Sequence, residues 1–241
     1  TGAIVVALIG LAVAIGVFIP RSPGKASGGF QLGPPALVSG KNGVNQSPAF
    51  SPDGRWLYYV RGKYSLRGFL RNLLTGQEME VSPRGHRFGA AAWSPDSSQL
   101  AYLRSEPEQF PEMQIIVHDM ESGNEKVLAT GRFPAVGATG AGIDYSPDGS
   151  RLALTVAGEE TGAIGLAVVD VDSGVVTPLP APAFRDILPT WIDDDTLEFI
   201  RYSDREHSDI ARTDLFGEAR LMTDIREPMS GYARISDETY L

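Results

Sequence analysis

The chain has 241 residues, 42% of them hydrophobic and 21% charged, the balance of a folded globular protein rather than a disordered one. A formal net charge of −9 with no basic cluster excludes a nucleic-acid surface, whose affinity comes from Lys and Arg neutralising phosphates. Cys 0 excludes disulfides and thiolate metal sites, while Gly 27 and Pro 17 suit many short strands joined by tight turns.

In chain order, residues 1–20 read as a membrane anchor. Residues 3–19 (AIVVALIGLAVAIGVFI) carry no charged side chain; Pro20 stops the run, and Arg21 and Lys25 follow. As a helix this stretch spans roughly 26 Å, near the hydrocarbon thickness of a bilayer. A buried core helix is the bland alternative. A secretory signal would have a shorter apolar core and an A-x-A-like cleavage site, which the sequence lacks. Taken alone, Arg21 and Lys25 would place the following domain on the cytoplasmic side. Thr1 in place of Met points to a missing or processed N-terminus. Residues 21–35 (RSPGKASGGFQLGPP) have no apolar periodicity and read as a Gly/Pro/Ser linker.

Residues 36–241 carry a repeat. Four segments place an aromatic before a Ser-Pro-Asp type turn and a strand that opens on Leu: FSPDGRWLYYV from Phe50, WSPDSSQLAYL from Trp93, YSPDGSRLALT from Tyr145 and the looser WIDDDTLEFI from Trp191. ISDETYL from Ile235 begins a fifth. The opening leucines Leu57, Leu100, Leu152, Leu197 and Leu241 lie 43, 52, 45 and 44 residues apart. Each unit continues with a third strand, a polar turn ending in Gly (Gly76, Gly123, Gly174, Gly217) and a short outer strand. Four strands per period in the forties is the signature of propeller blades. The fold predicted is therefore all-β, a β-propeller of four-stranded antiparallel blades, with about four blades and the start of a fifth behind one N-terminal transmembrane helix. Inner strands that are apolar almost throughout (LTVA after Leu152, IIVHDM from Ile115) fit sheets covered on both faces.

The aromatic-Ser-Pro-Asp-Gly-x-x-Leu unit resembles the TolB-like (WD-like) propeller repeat, and it does so most closely from Pro48 to Gly54. The fourth unit departs from it, with Ile192 and Asp193 replacing Ser-Pro and a turn one residue shorter. The repeat anchors are Phe50, Asp53, Gly54, Trp93, Asp96, Tyr145, Asp148, Gly149, Trp191 and Asp194.

The recurring Asp53, Asp96, Asp148 and Asp194 could form a cation-binding carboxylate ring. Asp in a hairpin turn, however, commonly accepts its own backbone N–H groups, and that reading is preferred. Asp170-x-Asp172 and Asp193-Asp194-Asp195 lack the remaining ligands and distal Glu of a calcium loop. His86, His118 and His207 form no H-x-x-x-H pair. No G-x-S-x-G, Walker A or G-x-G-x-x-G motif is present, so catalytic, cofactor and metal residues are all predicted as none. Residues 104–113 (RSEPEQFPEM) and 157–165 (AGEETGAIG) are longer loops between second and third strands, where partners of propellers bind.

The resemblance implies a non-enzymatic interaction or sensor module, binding a protein or peptide through loops or channel and displayed on a membrane by residues 1–20. Its propeller would be periplasmic, as in the extracytoplasmic part of CadC-type transcription factors or receptor-like kinases. The alternative it implies is the N-terminal propeller of a prolyl oligopeptidase-like serine peptidase. A ring of six or seven blades needs ~270–315 residues, against about 206 from Ala36. This predicts a C-terminally truncated chain whose open arc has wet blade faces at both ends. Membrane fractions of cells expressing the chain should retain it through a carbonate wash and release it only with detergent. Release by carbonate alone would remove the anchor.

Overall fold

The computed structural model describes residues 45–62, 66–81, 86–106, 112–133, 142–157, 164–180, 185–215, 217–225, 227–229, 231–232, 234–236 and 239–240. The proposed anchor, the linker and residues 36–44 at the start of the repeat region lie outside the described residues. Among the described residues there is no helix, and none therefore that is long and apolar enough to cross a membrane.

Each repeat folds as four antiparallel strands. Blade one holds β1 (Asn45–Phe50), β2 (Trp56–Arg61), β3 (Arg67–Asn72) and β4 (Glu78–Glu80). Blade two holds β5 (Arg87–Trp93), β6 (Gln99–Ser105), β7 (Met113–Asp119) and β8 (Glu125–Gly131). Blade three holds β9 (Ile143–Tyr145), β10 (Arg151–Ala157), β11 (Ile164–Asp170) and β12 (Val176–Pro178). Blade four holds β13 (Arg185–Trp191), β14 (Leu197–Tyr202), β15 (Ser208–Thr213) and β16 (Arg220–Leu221). A further hairpin joins β17 (Arg234–Ser236) to β18 (Thr239–Tyr240). In every blade the turn aromatic faces the strand-two leucine, pairing Phe50 with Leu57, Trp93 with Leu100, Tyr145 with Leu152 and Trp191 with Leu197. Blades three and four also touch through one parallel bridge, Ile164 to Arg185. The short β12 pairs only with Ala167–Val169 of β11, which leaves the Ile164 end free for β13.

Neighbouring sheets pack face to face. Because strand residues alternate between faces, Tyr58, Val60 and Leu70 of blade one meet Trp93, Leu100 and Tyr102 of blade two. Ala101, Leu103 and Ile115 on the other face of blade two meet Leu152, Leu154 and Val169 of blade three. Ala153 and Val168 then meet Trp191 and Leu197 of blade four. The first strands β1, β5, β9 and β13 sit side by side along the inner edge of this series. At Gly174 the backbone itself does the packing. Its φ is +73°, and a Cβ there would lie 2.2 Å from the Leu128 carbonyl oxygen of blade two.

The turn aromatics tie blade to blade. The Trp93 indole donates from Nε1 to the carbonyl of Ala49 in blade one at 3.0 Å. Trp191 does the same to the carbonyl of Asp144 in blade three at 3.2 Å. Both acceptors directly precede the turn aromatic of the preceding blade, so one bond type recurs at one phase of the repeat. Tyr145 is also buried between sheets, while Phe50 is half-buried beside Leu57 and Tyr59.

At the two ends of the arc, where wet faces are expected, several outward apolar side chains are buried. Leu57 and Tyr59, on the face of blade one turned away from blade two, are 1% and 2% exposed. On blade four Ile200 and Ile210 are fully buried. There the segment after β16 covers the sheet: Met229 and Tyr232 pack on Ile187, Ile200 and Tyr202, and the Tyr202 hydroxyl donates to the Met229 carbonyl. The exposed aliphatics, including Leu74, Met79, Val127, Val175 and Leu221, lie on outer strands and turns instead.

Trp93→Ala should cost about 3–5 kcal/mol in urea unfolding, as for a buried aromatic. Trp93→Phe keeps much of the buried surface and loses the bond to Ala49, and should cost less, with about 1 kcal/mol belonging to the bond. Equal losses in the two variants would mean that the indole bond, not the packing, holds the blades.

Candidate functional site at the loop end of the blades

Each blade has two ends. One carries the hairpin turns that join strands one and two, and there the recurring carboxylates are occupied by their own turns. The Ser51 hydroxyl donates to Asp53 at 2.6 Å, the N–H of Arg55 donates to the same carboxylate at 2.9 Å, and the N–H of Trp56 donates to the Ser51 hydroxyl at 2.9 Å. Ser94, Asp96, Ser98 and Gln99 repeat the pattern, as do Ser146, Asp148, Ser150 and Arg151. The hydroxyl of Ser94 leads in holding Asp96 below the usual carboxylate range, and that of Ser146 leads in lowering Asp148 to about 2.

The fourth turn divides the work differently. Asp193, not Asp194, accepts the N–H groups of Asp195 and Thr196, at 2.9 and 2.8 Å. Asp194 reaches back to blade three and accepts the N–H of Asp148 at 2.9 Å. Ser97 serves blade one in the same way, its hydroxyl accepting the N–H of Asp53 at 3.0 Å. The shorter turn removes one residue before the leucine, so the capping role moves one position earlier in the sequence. Among the described residues no three of His, Asp and Glu stand together as a metal site. The three histidines lie apart, beside Glu106 (His86), Glu125 (His118) and Asp204 (His207).

The opposite end carries the loops between strands two and three, and below it lies a row of arginines that the repeat pattern did not single out. Arg61, Arg104 and Arg201 each stand four residues after the strand-two leucine, and this recurrence is visible in the sequence once the leucines are aligned. Arg61 donates to Glu78 at 2.9 and 3.0 Å and to Asn45 at 3.3 Å. The Tyr59 hydroxyl donates to the same Glu78. Arg104 and Tyr102 meet Glu125 in the equivalent places of blade two. Arg201 makes a two-pronged pair with Asp186, at 2.9 and 2.7 Å, and this hydrogen-bonded carboxylate raises the guanidinium above its ordinary range. The partner on strand one is Asn45 for Arg61 and Asp186 for Arg201. Phe88 occupies that register in blade two, and there the Arg104 Nε is buried without a hydrogen-bond partner.

Two features shape this end further. A narrow cleft between blades three and four runs past Leu166, Leu179, Phe199 and Thr213 and reaches this end at Asp186 and Arg201. The bases of the two longer loops are fixed. Glu106, at the base of the loop after β6, sits 2.6 Å from His86 ahead of β5. Ala157, at the base of the loop after β10, donates its N–H to Arg132 at 2.9 Å.

On the inner edge one carboxylate titrates near neutrality. Asp144 accepts the backbone N–H of Trp191 at 2.9 Å. Burial pushes it up to about 6, against the opposing pull of the N–H groups of Trp191 and Tyr145. The folded value lies above the 3.8 of a free side chain, so folding favours the protonated form. That contribution is complete below about pH 4 and is lost as pH rises through about 6. Asp144→Asn should therefore be more stable than the parent at pH 7, by about 3 kcal/mol. The gap should close in urea titrations at pH 4. A gap independent of pH would show that Asp144 does not titrate in this range.

No family model matches the chain. Among solved structures it is similar to TolB from Acinetobacter baumannii, with 20% identity and a TM-score of 0.63 over 79% of this chain and 46% of that one. It thus spans a little under half of that protein. A TolB-type protein from Agrobacterium tumefaciens matches at 18% identity and a TM-score of 0.54, over 80% of this chain and 85% of that one. A puromycin-hydrolyzing peptidase from Mycobacterium tuberculosis matches at 18% identity and a TM-score of 0.59, over 83% of this chain and 32% of that one. At such identities the likeness speaks for architecture: the chain has the fold of the TolB-like β-propellers.

Proposed function

We propose that the chain is a non-enzymatic interaction or sensor module that holds a protein or peptide partner at the loop end of its blades. The observation that carries this reading is the contrast between the two ends. At the turn end, the carboxylates of Asp53, Asp96, Asp148 and Asp193 are engaged by donors of their own turns. At the loop end, the bases of the two longer loops are held by the pairs His86–Glu106 and Ala157–Arg132, while residues 107–111 and 158–163 between them lie outside the described residues; loops on a rigid scaffold are where partners bind. In this proposal residues 1–20 display the propeller on the extracytoplasmic side of a membrane, as the sensor half of a regulator of the CadC or receptor-kinase plan.

A second reading is favoured by one observation, the match to a third of a peptidase chain. In it the blades would accompany a hydrolase domain and screen access to it, and the loop end would meet that domain instead of a separate protein.

A photo-crosslinking residue placed at Glu112, at the exposed loop base, tests the first reading in cells that express the protein natively. A discrete adduct with one separate protein is expected from Glu112 and none from Ser173 at the turn end. Adducts from Ser173 alone, or none from either position, would sink it.

A further inference from the structure

We infer that Arg185 is an anchoring site for a carboxylate of the bound partner, the side chain of an acidic residue in a peptide lying across the loop end. The inference rests on the proposed binding function and specifies what that surface recognises.

Arg185 stands apart from its peers. Seven other described arginines that are at most partly exposed (Arg61, Arg67, Arg71, Arg104, Arg151, Arg201, Arg212) each lie within 4.0 Å of a carboxylate. Arg185 is as sheltered as they are, has no acid beside it among the described residues, and buries its Nε without a hydrogen-bond partner. In a chain with 30 acidic residues, that isolation is not for want of carboxylates. The nearest in sequence, Asp186, is already held by both prongs of Arg201.

The side chain is also held in place. Its guanidinium carbon lies 3.9 Å from the centre of the Tyr202 ring, a stacked cation–π contact. Tyr202 is fixed in turn by the bond from its hydroxyl to the Met229 carbonyl. The Arg185 backbone is clamped between its antiparallel partner Tyr202 and the parallel bridge to Ile164. It opens the first strand of blade four, beside the loop that joins β14 to β15 and on the same inner edge as the other first strands. A fixed, planar, unneutralised guanidinium loses little freedom on meeting a ligand, and its fork matches the two oxygens of a carboxylate. The net charge of −9 disfavours a phosphate dianion more than a single carboxylate.

The test follows the Arg185 Nε–H by ¹⁵N NMR of the full chain in detergent micelles. Acetyl-glutamate-amide, its neutral isostere acetyl-glutamine-amide, and inorganic phosphate are added in turn. A saturable shift at millimolar acetyl-glutamate-amide is expected, with none from the glutamine compound. Arg185→Lys keeps the charge and gives up the fork. Followed through the Tyr202 ring signals, it should bind the probe about tenfold more weakly. No shift, the same shift with the glutamine compound, tighter saturation by phosphate, or undiminished binding by Arg185→Lys would each overturn the assignment. A cross-linked partner at Glu112 without a response at Arg185 removes this inference and leaves the binding function standing. A saturable response without a cross-linked partner upholds the site and removes that function.

Discussion

Every blade in this chain must bury two faces, and one contact phase makes that possible. The aromatic that ends the first strand lies at the seam between sheets in blades two, three and four, and in Trp93 and Trp191 it also reaches the first strand of the blade before it. Burying an indole supplies a large apolar area, and its single N–H needs an acceptor once water is excluded. The carbonyls of Ala49 and Asp144 meet that need because inner strands lie side by side, with edges turned toward one another. Packing and hydrogen bonding thus impose the same spacing between blades.

A structure stacked this closely has to deal with polar groups near its seams, and it does so locally. Turn carboxylates take up the N–H groups of their own hairpins, while Ser97 and Asp194 reach across to cap the preceding turn. Arginines that rise between sheets meet a glutamate from the outer strand or an aspartate from the inner one. Where an apolar residue takes the inner position, as Phe88 does, a buried nitrogen is left over: Phe88 gains a tilted ring contact with Tyr102 while Arg104 Nε goes unmatched. Such a group is costly in an interior, which is why exceptions of this kind are few.

These arrangements bear on function through rigidity. A propeller whose turn end is saturated by internal bonds and whose seams are locked by aromatics offers its loop end as the place for variation. The base of the loop after β6 is held by the contact of Glu106 with His86. The fold by itself accommodates binding proteins and enzymes alike, and the peptidase likeness belongs to the same architecture.

Much of the architecture is local and therefore legible in the sequence. A Ser-Pro-Asp-Gly turn between an aromatic and a leucine forms wherever it occurs, because its bonds run between residues two to five apart. Turns of this kind after Phe50, Trp93 and Tyr145, with the looser one after Trp191, determined the blades, their strand order and the register of these aromatics against their leucines. What the sequence left open depends on residues distant along the chain. The exchange of roles between Asp193 and Asp194 needed the position of the Asp148 N–H, 46 residues away. The arginine row repeats visibly, but its meaning lies in Glu78, Glu125 and Asp186, which stand at different offsets in different strands. The cover over blade four comes from Met229 and Tyr232, outside any repeat. Arg185 looks like any other arginine in the sequence; only folding set it against a tyrosine ring with no carboxylate beside it among the described residues. Local turns obey nearest-neighbour chemistry, whereas the pairing of charges is decided by which strands the packed sheets bring together.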